Sequence, residues 1–192
     1  MFLDNQNFEK IGEDIWVYHN FLSQEEIDLI ISKVEQQEDS FWFHKNGNQG
    51  SYAVSGLEEV AVIPNRIQGM LDKDLFMHAH CSVTKMSEGH NHGVHFDSFE
   101  FLEVRELSNS LNEGDCFVLV DDNIYGMVVY LNDNYEGGEI YYTKQDVVYK
   151  PKAGDFLVHS SDIHCEHGVK SVKSGIRYSY PSSIRRKIKN PC

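Results

Sequence analysis

Basic residues are scarce in this chain. Seventeen lysines and arginines face 30 aspartates and glutamates over 192 residues, a formal net charge of −13. Proteins whose main partner is a nucleic-acid backbone carry a basic face, so no nucleic-acid partner is expected. The run Ile184-Arg185-Arg186-Lys187-Ile188-Lys189 is a local exception, read as a solvated basic C-terminus. Long apolar runs are missing as well: none approaches the roughly 18 residues that span a bilayer, and no membrane partner is expected. Met1 to Gln6 show neither a basic start nor an apolar run, which argues against a signal peptide. Cysteine is sparse, and Cys81, Cys116, Cys165 and Cys192 form no CxxC pair. Without a secretory signal a disulfide framework is not expected, and reduced thiols in a cytoplasmic compartment fit better. Repeats, low-complexity tracts and interdomain linkers are absent too. What is there is 41% hydrophobic and 24% charged, an ordinary soluble composition. The length suits one domain with a full hydrophobic core.

The N-terminal third mixes strand and helix. Ile15 to His19 is β-branched and aromatic, a strand pattern. Ser23 followed by Glu26 makes a capping box. Ile27, Ile30, Ile31 and Val34 then recur at helical spacing, so a helix is predicted from about Ser23 to Gln37. His44 to Gly56 is polar and glycine-bearing and reads as a loop. Leu57 to Asp74 reads as a second helix, interrupted or restarted at Pro64. From Leu75 the pattern becomes short β-rich segments: 75–85, 94–104, 116–120, 126–131, 139–143, 147–149, 155–159, 166–172 and 176–180. Gly- and Asp-rich turns separate them. Many short strands with regular turns imply a sandwich or barrel, with the helices buttressing one sheet face. Gly137 and Gly138 read as turn residues. Tyr141 and Tyr142 alternate on a strand, so one should face the interior and the other the opposite surface.

His95-Phe96-Asp97, with His167 far downstream, offers two imidazoles and a carboxylate. Such a facial set leaves coordination positions open and is associated with non-haem Fe(II) oxygenases. Alternate residues of a strand share a face, so His95 and Asp97 can project together. The bland alternative is one satisfied core histidine and one surface aspartate. His159 and His164 compete with His167 as the distal ligand. His164-Cys165-Glu166-His167 could instead hold zinc, although it lacks a second ligand pair at zinc spacing. His78, His80, His90 and His92 are assigned to packing, hydrogen bonding or solvent-facing roles, with His92 a candidate supporting residue for the metal ligands.

Four blocks from Lys85 to Ser179 carry a resemblance. Lys85 to Gly89 leads into His95-Phe96-Asp97. Val129-Tyr130-Leu131-Asn132 precedes Glu136-Gly137-Gly138-Glu139. Pro151 to Phe156 forms a "PKxGD" turn. His167 to Ser179 reads as an "HxVxxVxSGxRYS" block. In this order they resemble the 2-oxoglutarate- and Fe(II)-dependent dioxygenases, prolyl 4-hydroxylase-like branch. The opening strand and capped helix resemble that branch's N-terminal support.

The resemblance implies a mainly β fold with N-terminal supporting helices, a double-stranded β-helix or cupin-like jelly roll. One domain, 1–192, would comprise helical support over about 1–74 and a jelly-roll core over about 75–182. His95, Asp97 and His167 would hold Fe(II). Arg177 would bind the distal carboxylate of 2-oxoglutarate, with a planar fork that lysine cannot copy. The "YLN" block places Tyr130 to add a hydroxyl donor, against a simpler role as an aromatic wall of the core. The implied reaction hydroxylates a C–H bond, of a prolyl residue in a peptide or protein first, with O₂ consumed and succinate and CO₂ formed. Ascorbate is the reductant the family implies. A hydroxylase of a small molecule or free amino acid, and a non-catalytic metal-binding jelly roll, are the alternatives. Met86 and His92 depart from the branch, which often has tyrosine and another aromatic there. Segments 44–56 and 105–124 are where substrate contacts are expected.

Overall fold

The computed structural model describes residues 7–37, 43–44, 51–78, 82–97 and 120–187. Strands β1 (Phe8–Gly12) and β2 (Ile15–Tyr18) form an opening hairpin. Helix α1 (Gln24–Glu35) follows, and the expected capping box is present: the Ser23 hydroxyl accepts from the Glu26 N–H, and the Glu26 carboxylate accepts from the Ser23 N–H. That reciprocal pair satisfies donors the first helical turn would otherwise leave open. Ile27, Ile30 and Val34 form its buried stripe.

The second helix differs from expectation. Glu58–Ala61 is a turn of 3-10 helix, and α2 runs only from Val62 to Met70. Pro64 causes no break, because it lies in the first turn of α2, where an N–H has no intrahelical acceptor to lose. Arg66 ties α2 to the start of α1. Its guanidinium donates to the Glu26 carboxylate and the Phe21 carbonyl and lies over the Phe21 ring.

The remaining strands are β3 (Phe43–His44), β4 (Ser51–Ser55), β5 (Leu75–Met77), β6 (Ser82–Met86), β7 (His92–His95) and β8 (Val120–Tyr130). After these come β9 (Glu136–Gly137), β10 (Ile140–Tyr142), β11 (Val147–Tyr149), β12 (Phe156–Ser160), β13 (His167–Val169), β14 (Val172–Ser174) and β15 (Arg177–Lys187). The large sheet runs β1-β2-β12-β8-β15-β6-β4-β3, with β5 also on β15. The small sheet runs β11-β10-β13-β7, and β14 pairs β9 separately. Every pairing is antiparallel. Ile15, Val17, Tyr130 and Leu157 of the large sheet pack against Ile140 and Tyr142 of the small one. The two sheets therefore face each other, the expected jelly roll. No helix among the described residues is long and apolar enough to cross a membrane.

Alternation along the large sheet sorts its side chains into two layers. Met127, Val129, Phe156, Val158, Tyr178 and Tyr180 pack with Ile27, Ile30, Ile63 and Ile67 of the helices. The intervening Tyr130 and Leu157 turn into the space between the sheets. Arg177 and Ser179 alternate with Tyr178 and Tyr180 in the same way. The helices thus buttress one face, as expected.

Several segments depart from the sequence reading. Part of the 44–56 loop is strand, since β3 and β4 pair and extend the large sheet at β6. Segment 75–85 is two strands rather than one. The 94–104 strand ends early at His95, and 98–104 lies outside the described residues. The 105–124 loop gives way to β8 from Val120; 105–119, the 116–120 strand up to Leu119, His80, Cys81, Cys116 and Cys192 also lie outside them. The basic C-terminal run is strand through Lys187, with Ile184 fully buried on β15. Residues 188–192 are outside the described range. Among the described residues up to 74 there are four strands as well as α1 and α2.

Candidate metal and cosubstrate site

One row across the small sheet assembles the metal donors. His167 on β13 pairs directly with His95 on β7, and on its other side with Tyr142 on β10. The rings of His95 and His167 lie 4.4 Å apart. Asp97 sits two residues beyond His95, just past the end of β7. The alternation carries on past the last ladder pair: Phe96 is exposed, while His95 and Asp97 on either side of it turn inward together. One donor atom from each of His95, Asp97 and His167 lies within 4.8 Å of the others. Among the described residues no other such group occurs. The rival cluster at 164–167 does not assemble. His164 is exposed, and the Cys165 thiol is buried and turned to the Glu13 and Asp14 carbonyls.

The donor chemistry fits a divalent ion. Nδ1 of His95 donates to the Gly93 carbonyl at 2.9 Å, and Nδ1 of His167 donates to the Cys165 carbonyl at 2.9 Å. Each bond fixes the tautomer and leaves Nε2 with its lone pair toward the site. Burial lowers the pKa of His167 to about 3, with the neighbouring imidazoles adding to the shift. For Asp97 burial pushes upward, but the His95 hydrogen bond and the fields of His159, His167 and His95 outweigh it. The carboxyl is held well below the usual range. At neutral pH His167 is therefore a neutral imidazole donor and Asp97 a carboxylate, so metal need not displace a proton from either.

His159 is not in the trio. It is fully buried on β12, its Nδ1 donates to the Ser160 carbonyl, and its Nε2 lies 3.6 Å from the Asp97 carboxylate. Gly126 of β8 makes room for this arrangement: a Cβ there would stand 1.9 Å from Asp97 Oδ2 and 2.6 Å from the His159 ring. His92 packs its ring 4.1 Å from that of His95. It also lines a groove of about 400 Å³ with Asn91, Tyr141 and Val169. His90 accepts the Ser87 N–H at Nδ1. Tyr142 faces the interior and Tyr141 does not, so the pair divides as alternation requires.

Beyond the trio the space between the sheets holds a buried cation. Arg177, 3% exposed, opens β15 opposite Met86 of β6. Its Nη1 donates to the Ser179 hydroxyl at 3.0 Å and contacts the Met86 sulfur at 3.5 Å. Its guanidinium lies 5.1 Å from the centre of the Tyr130 ring. No carboxylate pairs with Arg177 among the described residues. Arg177 Nε and the hydroxyls of Tyr130, Tyr135 and Tyr142 are all buried without a hydrogen-bond partner among those residues. Buried polar groups are rarely left so, and a buried charge without a counter-charge is costly. A small dicarboxylate would satisfy both. Burial pushes the Tyr130 hydroxyl far above its ordinary pKa despite Arg177 nearby, so it stays a proton donor.

The backbone around this cradle is pinned by two short polar residues. Asn132 donates to the Ile176 carbonyl at 2.7 Å and accepts the Tyr178 N–H at 2.7 Å, clamping both sides of Arg177. Asp155, fully buried, accepts from His19, from the Tyr149 hydroxyl and from the Lys152 N–H. Its backbone carbonyl in turn accepts the Tyr130 N–H. The "N" of YLN and the "D" of the PKxGD turn thus hold Tyr130 and Arg177 in place.

Fold and site together define a jelly roll in which two imidazoles and a carboxylate converge where they could hold a metal ion, with a buried arginine that has no acidic partner among the described residues. Residues 77–182 match the model of the 2OG-Fe(II) oxygenase superfamily, and the chain belongs to that family. Its cofactors are Fe(II) and 2-oxoglutarate. Among known proteins, human prolyl 3-hydroxylase 2 is 40% identical over 92 residues, 45% of this chain and 12% of that protein. The chain therefore spans a small part of the length of that relative. A viral collagen prolyl hydroxylase from Paramecium Bursaria Chlorella virus-1, solved as its 2OG complex, superposes with a TM-score of 0.63 at 18% identity. The match covers 97% of this chain and 98% of that one. A Pseudomonas putida prolyl-4-hydroxylase gives 0.64 at 16% identity, over 97% and 96%. At these identities the structures speak to the fold.

Proposed function

We propose that this chain hydroxylates a prolyl residue of a peptide or protein. In this reading His95, Asp97 and His167 hold Fe(II), and Arg177 with Tyr130 holds the distal carboxylate of 2-oxoglutarate. The observation that carries it is the pairing of the donor trio with a buried arginine that has no acidic partner. A simple metal-binding jelly roll has no use for that cation. With its cofactors bound, the site supplies O₂-dependent oxidation: 2-oxoglutarate becomes succinate and CO₂, and a substrate C–H becomes C–OH.

The chain's own contribution is placement. Arg177 and Tyr130 anchor the far end of the cosubstrate, so its 2-oxo acid end is directed at the trio. The hydrophobic walls Ile140 and Leu157 exclude bulk water from that end. His95 and Asp97 are partly exposed while His167 is buried, so a substrate would approach from their side, past His92 and its groove. The choice of a prolyl target rests on the names of the relatives.

The test is incubation with Fe(II), 2-oxoglutarate, O₂ and a (Pro-Pro-Gly)-repeat peptide, reading succinate and a mass gain of one oxygen. Stoichiometric succinate and peptide oxidation, both absent in Asp97→Ala, is the expected result. Succinate formed without peptide oxidation would refute the prolyl substrate. Failure to bind 2-oxoglutarate at all, in folded iron-loaded protein, would refute the enzyme.

A further inference from the structure

The Tyr135 side chain has no role in anything derived so far. It stands between the YLN and GGE blocks, in a stretch that the family pattern leaves open. Yet it is 6% exposed, and its hydroxyl is buried without a partner among the described residues. The nearby Arg177 guanidinium can only donate, so the Tyr135 O–H has no acceptor among the described residues.

Its surroundings show where an acceptor would sit. Gly138, at φ +66°, lies where the Tyr135 ring and the Arg177 side chain converge. A Cβ there would stand 2.9 Å from Tyr135 Cε2 and 3.1 Å from Arg177 Cδ. Only glycine suits both that backbone angle and that closeness. Lys150 holds the other face of the ring, its Nζ 4.0 Å from the ring centre. The same ammonium donates to the Tyr135 carbonyl at 3.1 Å and the Gly137 carbonyl at 2.6 Å, fixing the turn that carries the tyrosine. Burial raises the pKa of the Tyr135 hydroxyl, and the neighbouring Arg177 charge opposes that rise.

Met86 explains why such a donor would matter here. It occupies a pocket position where the family often carries tyrosine, and it faces Arg177 with a sulfur. A thioether has no proton to give, so Met86 itself supplies no hydroxyl beside Arg177. Tyr135 brings one from the other side.

We infer that Tyr135 is a third donor to the distal carboxylate of the cosubstrate, alongside Arg177 and Tyr130. The inference rests on the reading of that cradle as the 2-oxoglutarate site. Lys150 and Gly138 are the positioning residues that press Tyr135 toward Arg177.

The test is anaerobic titration of Fe(II)-loaded protein with 2-oxoglutarate and, separately, with 2-oxopentanoate. The latter has the same metal-chelating end and no distal carboxylate. Visible charge-transfer absorption reports binding in wild type and in Tyr135→Phe. Phenylalanine keeps the ring between Lys150 and Gly138, so Fe(II) affinity should not change and the melting temperature should not fall. The expected result is a loss of 2-oxoglutarate affinity of about 10- to 100-fold, the range for one hydrogen bond to a charged acceptor, with 2-oxopentanoate binding unaltered. An equal loss for both acids would make Tyr135 a packing residue and overturn the inference, as would no loss for either. Wild-type protein that binds neither acid would overturn the cosubstrate site itself. Normal wild-type binding with an unaffected Tyr135→Phe would overturn only the role of Tyr135.

Discussion

Replacing Gly126 by alanine should remove metal binding while leaving the fold in place. The added Cβ would stand 1.9 Å from Asp97 Oδ2, where ordinary contact begins at 3.4 Å. Asp97 or the strand must therefore move by about 1.5 Å, the difference between those two distances, and the His159 ring, 2.6 Å from the same Cβ, must shift as well. Strand β8 cannot easily do so, because it is hydrogen-bonded to β12 on one side and β15 on the other. Asp97 can, since it lies past the end of β7 and is partly exposed. A competent site tolerates ligand-distance errors of only about 0.2 Å. Disturbing residues behind the ligands already costs about 10- to 100-fold in affinity. Displacing a ligand outright should cost more than about 100-fold. Calorimetric titration with Mn(II), used in place of oxidisable Fe(II), would measure it, with thermal melting of the metal-free proteins beside it. Wild-type metal affinity in a folded Gly126→Ala protein would show that Asp97 does not bind the metal in the position seen here.

Arg177→Met should raise the stability of the cofactor-free protein, by about 1 kcal/mol or more, because it removes a buried charge with no counter-charge. It should also abolish the response to 2-oxoglutarate, and a fall in the urea midpoint would contradict the account of Arg177 as an uncompensated cation. Ile67→Ala, at a fully buried position between α2 and the large sheet, should cost about 2–5 kcal/mol, read from urea unfolding. A loss below about 1 kcal/mol would mean that the helix layer does not hold the sheet. His19 has its pKa raised above the ordinary 6.5, chiefly by its hydrogen bond to the buried Asp155 carboxylate. A raised folded value means that its contribution is full below pH 6.5 and is lost as pH rises through the folded pKa. The stability gap between wild type and His19→Gln should therefore narrow on going from pH 6 to pH 9, and a gap that widens would reverse the assignment.

Sequence pattern carried the site further than it carried the layout. Ser23 and Glu26 announce a helix start because capping is local chemistry, and α1 begins where they stand. The four motif blocks lie on strands or tight turns whose spacing is fixed by pairing. His95, His167, Tyr130 and Arg177 could thus be named together before any geometry, although the two histidines meet only through the β7–β13 register. Asp97 follows from strand alternation, since Phe96 between it and His95 faces outward. Segment 44–56 misled because its glycines and polar residues suit a loop, while β4 gains its strand character from pairing with β6, a tertiary effect. Pro64 misled in the opposite sense, because a helix start hidden at Val62 turns a breaker into a tolerated first-turn residue.

Gly126 and Tyr135 mark the limit of what pattern can reveal. Neither lies in a motif, and each matters through what stands opposite it: the Asp97 carboxylate just past a distant strand for one, a buried guanidinium for the other. Local composition has no term for a neighbour more than 25 residues away. A glycine inside a strand or a tyrosine in a turn therefore looks ordinary until the partner is in view. The Met86 departure was visible in sequence, as a residue where the branch often has tyrosine. Only the convergence of Tyr135 and Arg177 over Gly138 shows where a further donor could stand.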